Sequence, residues 1–225
     1  MAVPNAAGVR LSSSTTGFLD RALALALRLD LRRVAIANGA IILVLGVVGV
    51  LHIAFDWFGA FDLDGERNVP STYSAALWTC MAALAVLLGR AEQGRAARMW
   101  FALSVPLLFV GADEFGEIHE RLERIAGIDW QVLYSPLGLV AVVLWVLVGR
   151  RLRTIGAGFG LFVAGTICGV ASQFLEAVEY GANDQRVAAF NEIVVTEELL
   201  EMCGAVLVGL ALLAALRMVC RDARA

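Results

Sequence analysis

Five acid–base groups crowd the stretch DEFGEIHE: Asp113, Glu114, Glu117, His119 and Glu120. A second set, Glu197, Glu198 and Glu201, lies in TEELLE, and a third, Glu176 and Glu179, follows Ser172 and Gln173. His52 stands alone, with Asp56 one helical turn further on. Carboxylates joined by one or two imidazoles suit Fe, Mn or Zn, whereas carboxylates alone suit Mn, Ca or Mg. The same groups, set inside a membrane, can also relay protons or cations.

These groups sit at the ends of strongly apolar runs. Of 225 residues, 60% are hydrophobic and 17% charged, a balance rare in a soluble domain. Several runs approach the roughly 20 apolar residues that cross a bilayer as a helix. The expected fold is all-α, a polytopic membrane bundle of six spans near Val34–Phe58, Tyr73–Gly89, Met99–His119, Gln131–Gly149, Ile155–Glu179 and Asn191–Arg217. Residues 1–33 form a tail, disordered over the first sixteen, and residues 34–217 form the transmembrane domain, followed by a short tail, 218–225. GFLDRALALALRLDLRRV alternates in a way that would suit a strand, but beside a basic membrane entry an interfacial helix is expected.

Arginine sets the orientation, since there is no lysine. With the N-terminus inside, fourteen arginines fall in inner segments, and Arg67, Arg121, Arg124 and Arg186 remain outside. Both termini are therefore expected in the cytoplasm, and the chain in a bacterial inner membrane. Asp20, Asp30, Glu92 and Asp222 lie on the inner side, and the other seventeen carboxylates lie outside or in the outer halves of spans. The acids of the third, fifth and sixth spans should then share a depth of about 5–15 Å below the outer surface. On a straight helix Asp113, Glu117 and Glu120 fall within about 60°, with Glu114 beside them. His119 does not share that face, so either the helix distorts around Gly116 or His119 faces another helix.

DEFGEIHERL and EELLEMCG together resemble an uncharacterised bacterial polytopic membrane-protein family with a DE-x3-IHE-L motif and a C-terminal EE-x-LEM-x-G motif. Trp130, Tyr134 and Pro136 open the fourth span in the same style. The resemblance implies a bundle of six or seven helices and no particular activity. Two distant histidines do not fit the three-histidine pattern of ceramidase-like membrane hydrolases, and no Glu-x-x-His pair of a soluble di-iron bundle is present. Four scattered cysteines without a CxxC are expected to be free thiols, and no basic patch with interleaved aromatics points to nucleic acid.

The leading expectation is a divalent-metal site open to the outer leaflet, acting on a lipid or another hydrophobic substrate. Its ligands would come from Asp113, Glu114, Glu117, His119, Glu120, Glu176, Glu197, Glu198, Glu201 and His52. Ser172, Gln173, Glu179, Tyr134 and Cys203 would line the pocket. The alternative is a proton- or cation-coupled transporter using the same acids, and a third reading is a structural or sensory membrane protein. Membrane lipids are the expected surroundings in every case.

Overall fold

A computed structural model describes residues 15–63, 65, 67–128, 130–178, 180–181, 185–186 and 189–223. The expected disorder of the N-terminal tail, in residues 1–14, and the pocket role of Glu179 lie outside these residues.

Helix α1, Thr15–Arg28, replaces the strand that alternation allowed, and it ends on arginine, which favours a helix C-terminus. Asp30 then caps α2, Leu31–Phe55, its carboxylate accepting from the Arg33 amide at 3.0 Å. That hydrogen bond holds the Asp30 carboxyl below its usual value. Five more long helices follow: α3 (Val69–Ala91), α4 (Gly94–Gly116), α6 (Trp130–Ile155), α7 (Phe159–Glu176) and α8 (Phe190–Asp222), with the short α5 (Ile118–Ala126) after α4. Among the described residues six helices are long and apolar enough to cross a membrane. At 1.5 Å per residue each reaches about 27 Å or more. The chain is thus an all-helical, multi-pass membrane protein, apart from a two-residue antiparallel ladder pairing Tyr180–Gly181 with Gln185–Arg186. Pro106 and Pro136 lie within α4 and α6, where neighbouring helices tolerate the lost hydrogen bond.

The spine of the bundle is α8, in contact with α7, α3, α2, α6 and α1. Its C-terminal half carries the larger of the two buried apolar cores. There Leu212 and Leu216 are buried with Met81 and Leu88 of α3, Trp100 and Leu103 of α4, and Val148 and Leu152 of α6. A smaller core joins Ile42 and Leu45 of α2 to Val194 and Met202 of α8 and to Leu63.

Most boundaries shift by a few residues from the expected spans, as with α4 starting at Gly94 and not Met99, and α6 running to Ile155 and not Gly149; two shifts at the acidic ends bear on the site. The third span ends at Gly116 rather than His119, because Glu117 adopts a left-handed conformation (φ 50, ψ 44) that caps α4 and starts α5. The fifth span ends at Glu176, three residues before Glu179.

Candidate functional site

The break at Glu117 puts His119 where a straight helix could not. His119 turns back on Asp113: its amide donates to Oδ1 at 2.8 Å and its Nδ1–H to Oδ2 at 3.1 Å. Tyr134 of α6 donates its hydroxyl to the same Oδ1 at 3.1 Å. Asp113 thus joins α4, α5 and α6 through one carboxylate and sets which imidazole nitrogen carries a proton. Of the two arrangements open to His119, the distortion at Gly116 is the one found. Aromatic rings close around it, with Trp130 5.6 Å from His119 and Tyr134 packed between Trp130 and Phe109.

On the other side of the bundle, Glu201 of α8 faces α3. Ser74 donates to its Oε1 at 3.1 Å and the Trp78 indole donates to the same oxygen at 3.3 Å. Glu197, one turn away on α8, is buried. Ser74 and Trp78 lie one turn apart on α3, a spacing legible in the sequence whose partner on α8 was not.

Packing contacts place these groups at one height. Gly111 approaches Ala75 and Thr79 of α3, which puts Asp113, half a turn above, level with Ser74. Gly204 meets Gly165, Cys168 and Gly169 of α7, which puts Glu201 at about the height of Ser172. The acid-bearing ends of α4, α7 and α8 therefore share a depth. Their side chains nevertheless take different partners. Glu117 pairs with Arg67 at 2.8 Å, and Glu120 with Arg124 on the exposed face of α5 at 3.6 Å. Glu176 accepts from Gln173 at 2.7 Å within α7, and the buried Ser172 hydroxyl donates to the Gly169 carbonyl at 3.3 Å. Glu114 and Glu198 are partly buried at the same end.

Two candidates serve the frame instead. His52 donates Nδ1–H to the Trp57 carbonyl at 2.8 Å, with Nε2 3.8 Å from Asp62, which pins the end of α2 to the connection that follows. Cys203 packs against the smaller core beside Met202. Among the described residues no three His, Cys, Asp or Glu side chains are grouped to hold a metal ion. The α4 break turns His119 onto Asp113, and Arg67 takes Glu117.

Arg67 is exposed, on a connection that returns part-way along α2 before α3 begins. Leu199 packs onto Gly46, which fixes α8 beside α2, and α2 continues about 14 Å past that point to Phe55. Ser74, at the height of Glu201, is only five residues into α3. The start of α3 consequently lies about 9 Å below the end of α2. Leu63 is buried against Gly49 on the way down, and Asn68 caps α3 in a reciprocal box with Ser71. Asp56, Phe58, Arg67 and Glu117 are the non-glycine residues with positive φ among the described residues, and all stand at this end. Backbone of this kind at membrane depth needs protein or water around it.

Six apolar helices long enough to cross a membrane, with acids gathered at one end of the bundle and a helix broken among them, define an α-helical multi-pass membrane protein. The chain belongs to the family described as Domain of unknown function (DUF8692), which matches residues 35–216. No curated protein and no solved structure matches it.

Proposed function

We propose that the protein is a proton- or cation-coupled membrane transporter whose coupling groups are Glu201 and the Asp113–His119 pair. The observation that carries this reading is Glu201 itself. Its hydrogen-bond partners are two neutral donors on one oxygen, so an ionised carboxylate there has no counter-charge, and a proton or cation must accompany it. Oε2 is the oxygen that would take it. Three further features fit transport: a discontinuous helix at Glu117, irregular backbone brought down beside it, and an apolar barrier across the inner half. In such a cycle the barrier keeps the inner side closed while the outer acids exchange protons. A metal-dependent enzyme is less favoured, since Glu117 and Glu120 are paired with arginines.

Proteoliposomes under an imposed inward proton gradient test this directly. Wild-type vesicles are expected to take up protons faster than empty ones, and Glu201→Gln, which keeps the shape of the side chain, should abolish the difference. Uptake unchanged by Glu201→Gln would remove Glu201 from the coupling role. A stoichiometric metal in purified protein, lost in Glu201→Gln, would return the site to metal chemistry.

The membrane is the bacterial cytoplasmic membrane in this reading, with both termini inside, as the arginine distribution favours. In a background lacking the native cysteines, Ile125→Cys on α5 should react with an impermeant maleimide in intact cells. Gln93→Cys and Thr154→Cys should react only after lysis. Labelling in the reverse pattern would put the acidic end in the cytoplasm.

A further inference from the structure

At the arginine-rich end, α1 lies against the inner end of α8 beside a cavity of about 500 Å³. Leu27, Leu31, Ala214 and Met218 give it an apolar wall, and Arg217 and Arg221, one turn apart on α8, line the same space. Arg217 donates one N–H to the Leu29 carbonyl at 3.1 Å, out of five such donors on a guanidinium. Arg221 has only a long, exposed pairing with Asp222 at 4.0 Å, which contributes little. Arg28, Arg32 and Arg33 follow at the same corner of the chain, opposed by Asp30. A guanidinium pair above an apolar wall, at the end of a membrane span, matches the boundary between a lipid headgroup and its acyl chains.

We propose that this cavity binds an anionic glycerophospholipid. Arg217 and Arg221 share its phosphate, and Leu27, Leu31 and Met218 cover the glycerol and first methylenes. The ligand chemistry is a phosphate with a net negative headgroup attached to acyl chains; the apolar wall gives a free anion nothing to bury. Bound lipid would fasten α1 to α8 at the closed end of the bundle.

Native mass spectrometry of the full chain, released from detergent containing equal phosphatidylglycerol and phosphatidylcholine, tests the proposal. Wild type is expected to retain phosphatidylglycerol preferentially, and Arg217→Gln/Arg221→Gln to lose that preference, by about fivefold per arginine. Arg221→Gln alone makes no change at α1, so its own loss of about fivefold guards against a merely loosened helix. Arg95→Gln/Arg98→Gln, on α4 outside the cavity, should keep the preference. Equal retention of the two lipids by wild type overturns the proposal, as would be the case if the cavity were filled by protein. An equal loss in the α4 double variant also overturns it, because the preference would then belong to the general positive field.

Discussion

Gly165→Ala is expected to lower the stability of the bundle by about 2–3 kcal/mol, an overpacking cost with no soft side chain to absorb it. A Cβ at Gly165 would lie 2.7 Å from the Gly204 carbonyl and 2.8 Å from Val208 on α8. The backbones of α7 and α8 touch there, so the helices themselves must separate. Gly158→Ala should cost at least as much, since its Cβ would clash with the Ala211 carbonyl and its φ of +78 already disfavours a side chain. Gly169→Ala is the control, one turn beyond Gly165 with nothing within 4 Å, and helix propensity makes it neutral or mildly favourable. Tryptophan fluorescence during denaturation in detergent would measure all three. A Gly165→Ala midpoint matching that of Gly169→Ala would mean that α7 and α8 are not held this closely. The separation has a functional reading too: it would lift the Ser172–Glu176 end of α7 away from Glu201.

The spans were legible because hydropathy reports burial in lipid directly, one segment at a time. The common height of the acids at one end of the bundle was legible for a related reason: position along a helix converts to height by a fixed rise per residue. Partners were not legible, because they depend on rotation and on neighbours. A straight helix sends His119 away from Asp113, and only the left-handed Glu117, an uncommon conformation for glutamate, brings the two together. Arg67 is an exposed charge, but its pairing with Glu117 was not legible because it joins distant positions, as does the contact of Leu63 with Gly49. Ser74 and Trp78 carried a helical spacing, but nothing local named Glu201 as what they face.

Arg151→Ala is expected to be among the most damaging single substitutions, at about 3–5 kcal/mol, because it leaves the Glu92 carboxylate without a counter-charge. Glu92 caps the end of α3, and its side chain is 4% exposed. Arg151, near the inner end of α6, grips it with Nε at 3.0 and 3.2 Å from its two oxygens and Nη2 at 2.9 Å. This fork-like contact ties α3 to α6 at the arginine-rich end of the bundle, where Trp100, Leu103 and Leu152 form part of the larger apolar core. Glu92→Gln should cost less than Arg151→Ala, because the charge left behind belongs to Arg151, whose side chain is 34% exposed and can reach water. The double variant Glu92→Gln/Arg151→Gln should recover most of the loss, since neither position then carries a charge. If the inner end must open during transport, the two kinds of variant should also separate functionally. The double variant, stable but unlatched, would show faster proton uptake in vesicles than wild type, while Arg151→Ala would show low uptake through loss of folded protein. A double variant as unstable as Arg151→Ala would assign the effect to lost packing of the arginine stem rather than to the ion pair.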